Sequence, residues 1–128
     1  MKTLGIGVDI VENFRFKKLL FNKKFLKRVF TKNEITKSKK VRNKCSFFAK
    51  RFAAKEAFSK ALGTGFRKNL NLKDISIKNN KLGKPEITIN KKLNKILFKN
   101  FKSKKINTLL SLSDENNFSV AFVLIQKK

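Results

Sequence analysis

The sequence predicts an α+β fold, with helices packed over a mainly antiparallel sheet. Three stretches carry that expectation. Residues 4–10 alternate Leu4, Ile6, Val8 and Ile10 with Gly5, Gly7 and Asp9, the two-residue period of a strand. Residues 47–62 repeat Phe47, Ala54, Phe58, Ala61 and Leu62 at helical spacing, and Gly63 follows where a helix commonly turns left-handed and stops. Residues 106–113 and 118–125 read as a closing hairpin joined by Asp114, Glu115, Asn116 and Asn117.

Taken in order, the first strand is expected to bury its apolar side and to keep the side of Thr3, Gly5, Gly7 and Asp9 bare. Glycine in a strand often marks the close approach of another backbone or a ligand. Asp9, at the end of that bare side, either caps the next helix or faces a ligand. Two short basic helices follow. Phe16, Leu19 and Leu20 face inward in the first, with Arg15 and Lys18 outside. Phe25, Leu26, Val29 and Phe30 form the stripe of the second, with Lys23, Lys24, Lys27 and Arg28 opposite. Thr31 and Glu34 have capping-box spacing and open a third helix, and residues 37–44 connect it to the long amphipathic helix.

After a basic loop, residues 74–78 and 86–89 read as short strands flanking a turn-rich loop. Asn90 caps a helix with Leu93, Ile96, Leu97 and Phe101 on its inner side. The last strand is almost wholly apolar, which predicts cover on both faces.

The 128 residues fit one domain, 1–128, large enough for a core without disulfides. The single cysteine, Cys45, excludes an internal disulfide and suits a reducing compartment. No run of about twenty apolar residues is present, and the N-terminal apolar stretch is broken by Asp9, so a cytoplasmic protein with no membrane partner is expected. The net charge of +25 points to an anionic partner. An RNA-binding reading has charge and size behind it. Against it, every aromatic is Phe, most fall on core stripes, and no RNP-type motif occurs, so no nucleic-acid partner is expected. A non-catalytic adaptor for acidic proteins would use the basic helices but leave Asp9 and Glu56 idle.

Glu56 stands out because acids are scarce: eight against thirty-three basic residues. It lies mid-helix among Ala49, Ala53 and Ala57, with Lys60 at i+4. On residue types alone it is either half of a surface ion pair with Lys60, the commoner outcome, or a metal ligand.

Two motifs then carry a resemblance. GIGVDIVENFR (residues 5–15) and RFAAKEAFSKALGTG (residues 51–65), with the Gly83-Lys84-Pro85 turn and SLSDE (residues 111–115), resemble the holo-(acyl-carrier-protein) synthase family of small 4′-phosphopantetheinyl transferases, in the family's order and over essentially the whole chain. The resemblance implies that fold and the transfer of phosphopantetheine from coenzyme A to a serine of apo acyl carrier protein, releasing adenosine 3′,5′-bisphosphate, in support of fatty acid biosynthesis. It implies Asp9 and Glu56 as ligands of Mg²⁺, with Glu56 and Lys60 catalytic: Glu56 accepts the serine proton and Lys60 stabilises the diphosphate or leaving group. Arg51 would contact the 3′-phosphate, Ser59, Lys60, Gly63 and Gly65 would line the coenzyme site, and Gly83, Lys84 and Pro85 would sit near the adenine. Arg15 matches a family arginine that meets the acidic carrier protein, and Lys18, Lys24, Lys27 and Arg28 extend that face. Family members are usually trimers with active sites between subunits. One departure is plain. Several members carry a histidine where this chain has Leu109, and this chain has no histidine at all; Asp114 is the nearby acid that could substitute.

Overall fold

A computed structural model describes residues 1–63 and 70–128. Strand β1 (Lys2–Glu12) pairs antiparallel with the C-terminal strand β5 (Phe118–Lys127), and β5 pairs antiparallel with β4 (Ile106–Asp114). The sheet order is therefore β1-β5-β4, with the first strand of the chain locked against the last. A second, two-stranded antiparallel sheet joins β2 (Ser76–Asn79) to β3 (Pro85–Thr88). The fold is α+β, as expected. The closing hairpin falls within two residues of its expected ends. The strand expected at 74–78 begins two residues late, because Leu72–Asp74 form a 3₁₀ turn in which the Asn71 amide donates to Asp74.

Between β1 and β2 lie a 3₁₀ turn (Asn13–Arg15), α1 (Phe16–Leu19), α2 (Lys23–Val29), α3 (Lys32–Ser38) and α4 (Lys44–Leu62); α5 (Lys91–Phe101) joins β3 to β4. The side chains of Asn22, Asn43 and Asn90 each accept a third-residue amide and so start α2, α4 and α5. Thr31 and Glu34 form the expected capping box. Asn43 extends the long helix three residues before the expected start, and Gly63, at φ 80°, ends it. The helix is buried around most of its circumference, not along one stripe, because it lies on the main sheet with the small helices and β2 packed on its other sides. Phe16 and Phe30 pack edge-on to each other, and Phe30 packs tilted against Phe48 of the helix, which meets Phe47 edge-on.

The alternation of β1 is as expected, but its sides are exchanged. Gly5, Gly7, Asp9 and Val11 face α4, whereas Ile6, Val8 and Ile10 are 60, 54 and 62% exposed. The reason is steric. A Cβ on Gly7 would stand 1.9 Å from the Ala57 carbonyl oxygen, and one on Gly5 would stand 2.0 Å from that of Ala61. Glycine on the strand and alanine on the helix allow the two backbones to touch. The same exchange affects β5. Ser119, Ala121, Val123 and Ile125 are buried, but Phe118 and Phe122 are exposed, so only one face of this central strand is covered.

Candidate active site

The close crossing of β1 and α4 sets Asp9 beneath the last turns of the helix, opposite Ala121 of β5. Lys60 reaches down from α4, and its Nζ lies 3.0 Å from Asp9 Oδ1 and 3.0 Å from the Val8 carbonyl oxygen. The i+4 ion pair between Glu56 and Lys60 is therefore not formed. The strand beneath the helix offers the ammonium a carboxylate and a carbonyl together, and it takes those. Glu56 accepts no hydrogen bond or ion pair from any described residue. Burial raises its carboxyl above the ordinary carboxylate value and the negative charge of Asp9 raises it further, while Lys60 and Arg15 pull it back. Two acids 47 positions apart in the chain thus share one field, with two cations beside them. Arg15 also sits with its guanidinium carbon 5.9 Å from the centre of the Phe52 ring.

A second cluster occupies another side of α4, about 140° around the helix from Glu56 by the five-residue spacing. Arg51 is buried, lies 3.6 Å from the centre of the Phe47 ring, and donates to the Phe47 carbonyl and to Asn79 Oδ1. Burial lowers its pKa, and the charge of Glu34 opposes that shift. Asn79 donates to the Gly83 carbonyl, so Arg51 is tied to the turn before Pro85. Gly83 has φ 86°, and Asn80 Oδ1 accepts from the Leu82 and Lys84 amides. Lys84 and Pro85 form one end of a groove between β3 and β4 that continues past Ile87, Asn107 and Thr108 to Leu109.

A sequence model described as the 4′-phosphopantetheinyl transferase superfamily matches residues 5–123. The chain belongs to that superfamily. Along its full length it is 60% identical to the holo-[acyl-carrier-protein] synthase of Pelagibacter ubique, covering all of both chains. It is 49% identical to that of Ehrlichia chaffeensis over 95% of both. Among solved structures, a holo-(acyl-carrier-protein) synthase from Bacillus anthracis in complex with CoA (3′,5′-ADP) superposes with a TM-score of 0.81 at 35% identity, covering both chains fully. That of Helicobacter pylori in complex with coenzyme A gives 0.77 at 34% identity, over 94% of this chain and 99% of that one.

In this transferase the other expected site residues fall in different settings. Ser59 is buried in α4 and its hydroxyl has no partner among the described residues. Gly63 is the exposed end of α4, and Gly65 lies outside the described residues. Lys18, Lys24, Lys27 and Arg28 are all exposed, on α1 and α2; Lys27 borders a groove with α3, and Arg28 borders another with Asn71 and Asp74. Asp114 is bound elsewhere, by the Ser46 hydroxyl and by Lys50 at 3.6 Å. It stands five residues along β4 from Leu109, about 17 Å at strand rise, too far to replace the histidine there.

Sequence reasoning overlooked Lys55. Its ammonium is fully buried, 2.9 Å from Glu34 Oε1, and donates to the Leu72 and Ile75 carbonyls. Glu34 is more than a cap, because its Oε2 also accepts the Ile77 amide of β2. The signal was available: Phe48, Arg51, Lys55, Phe58 and Leu62 fall on one helical stripe, and two cations within it announce buried partners.

Proposed function

We infer that the protein transfers 4′-phosphopantetheine from coenzyme A to a serine hydroxyl of apo acyl carrier protein and releases adenosine 3′,5′-bisphosphate, in support of fatty acid biosynthesis. The observation that carries the site assignment is the backbone contact of β1 with α4, which brings Asp9 to within 3.0 Å of the ammonium of Lys60, one turn along the helix from Glu56. The donor set suits Mg²⁺, which is often held by one or two carboxylates together with substrate phosphates and water; Asp9 and Glu56, from separate elements, would supply the carboxylates. Bound there, the metal would neutralise charge on the diphosphate as it is cleaved. The serine oxygen forms the new bond to the phosphopantetheine phosphorus and the bond to the adenylate phosphate breaks. Glu56, raised by burial and by Asp9, accepts the serine proton directly or through a water. Lys60, whose ammonium lies 3.0 Å from Asp9 Oδ1, can stabilise the departing phosphate. With no histidine in the chain, carboxylate chemistry fits the proton transfer.

Arg51, Ser59, Gly63, Gly65 and the Gly83-Lys84-Pro85 turn are assigned to coenzyme A. The link from Arg51 through Asn79 to Gly83 supports grouping the 3′-phosphate and adenine contacts. The exposed outer face of the sheet, Ile6, Val8, Ile10, Leu109, Phe118 and Phe122, supports subunit association, and we assign the protein as a homotrimer. Arg15, Lys18, Lys24, Lys27 and Arg28 are assigned to the acidic carrier protein, with the reaction in the cytoplasm. No helix among the described residues is long and apolar enough to cross a membrane.

Incubation with apo acyl carrier protein, coenzyme A and Mg²⁺ should add the mass of phosphopantetheine to the carrier. Asp9→Ala and Glu56→Ala should each nearly abolish the gain while circular dichroism stays native. A near-normal rate in either variant would remove the metal assignment.

A further inference from the structure

The surroundings of Lys60 are specific. Its ammonium occupies Asp9 Oδ1, although Glu56 is the acid one turn away on its own helix. The Lys60 side chain is 56% exposed, whereas that of Asp9 is 17% exposed. The lysine stem can therefore swing without disturbing the core, while the carboxylate it covers stays fixed in β1. The Val8 carbonyl oxygen, also at 3.0 Å, gives the ammonium a second anchor in this position. Lys60 and Arg15 are the two cations that act on Glu56, against burial and the charge of Asp9. A divalent ion entering beside Asp9 would meet the ammonium at the oxygen it needs, and two cations cannot share that contact without strong repulsion. A diphosphate supplies what is missing, because it offers the ammonium a new acceptor as it brings oxygens for the metal.

Resting on the transferase reading above, we propose that Lys60 is an exchangeable counter-cation: it holds the Asp9 side of the metal site closed in the free enzyme and moves to the coenzyme diphosphate on binding. Metal and coenzyme then enter as a coupled pair. The lysine has two stations, Asp9 with the Val8 carbonyl in the free protein and the diphosphate in the complex. Coupling of this kind is reciprocal, and typical values are about 5- to 150-fold in affinity.

Calorimetric titration of Mg²⁺ into the whole protein, with and without saturating coenzyme A, tests this without measuring turnover. In Lys60→Met the affinity of the free protein for Mg²⁺ should rise about tenfold over wild type, and the enhancement by coenzyme A should shrink correspondingly. Arg15→Met removes the same charge from the same neighbourhood but not the contact on Asp9, and should raise the free-protein affinity by much less. Lys60→Arg, which can still reach Asp9, should stay close to wild type. Unchanged or weaker Mg²⁺ binding in free Lys60→Met overturns the proposal, as does an equal gain in Arg15→Met, which would reduce the effect to the general field. Wild type that binds no Mg²⁺ even with coenzyme A overturns the metal reading itself, and the counter-cation falls with it.

Discussion

Gly7 leaves no room for a methyl group. A Cβ there would lie 1.9 Å from the Ala57 carbonyl oxygen, and that partner is helix backbone, which cannot rotate away. Gly7→Ala should destabilise the fold by about 2–3 kcal/mol in urea denaturation, at the upper end of ordinary overpacking. Because Glu56 and Lys60 ride on the displaced helix, transfer activity should fall as well. Glu56 itself gives a pH prediction. Its folded pKa is raised, so the stability linked to it is complete below the unfolded value and is lost as pH rises through the folded value. The ionised, desolvated carboxylate is thus a cost at neutral pH in the absence of metal. Glu56→Gln should melt at a higher temperature than wild type in EDTA at pH 7, and the difference should close as pH falls toward 4. A variant that melts lower at pH 7, or a gap that widens in acid, would show that Glu56 has a stabilising partner.

At the level of elements, the Glu34–Lys55 pair joins α3, α4 and β2, and holds the residues that follow the 64–69 segment. Lys55→Met leaves a buried carboxylate without its cation and should cost about 3–5 kcal/mol in chemical denaturation. Adding Glu34→Gln should recover part of that loss, since the uncompensated charge is removed while one amide acceptor remains. No recovery in the double variant would mean that the cost lies in lost packing instead. This pair was only half legible in the sequence. The spacing of Thr31 and Glu34 was a sufficient reason for Glu34, so nothing called for a second one, and its partner lies 21 positions on within a helix rich in alanine. The Thr31 and Asn90 caps, the Gly63 stop and the closing hairpin were readable because they depend on local chemistry, whereas the Asn43 cap that starts the long helix was read as part of a connection. The burial side of β1 was not readable. Alternation identifies two faces, and which one is covered depends on how closely a distant helix can approach. Glycine won over isoleucine here because backbone contact requires a bare strand. Asp9 and Glu56 could be picked out as unusual, whereas the pairing of Lys60 with Asp9 rather than Glu56 required the crossing geometry.

For the whole molecule, the outward sheet face and the charge of +25 pull in opposite directions, association against repulsion. If Ile6, Val8, Ile10 and Phe122 meet other subunits, Val8→Asp should yield monomers in sedimentation and lose transfer activity together, while the secondary structure persists. Monomers that remain fully active would remove the shared site. The basic face should show itself in kinetics. Arg15→Glu should raise the apparent KM for carrier protein more than that for coenzyme A, and the wild-type KM for carrier should climb with salt. A defect confined to coenzyme A would count against docking there. Both expectations lead back to the crossing of β1 and α4, since association and docking matter only if they bring a diphosphate and a serine to Asp9 and Glu56. The direct measurement is an anomalous difference map from crystals grown with Mn²⁺ and coenzyme A. One peak should touch both carboxylates and the coenzyme diphosphate, with the Lys60 ammonium drawn away from Asp9. A map with no density between Asp9 and Glu56, or with the ion bound by other residues, would contradict the account.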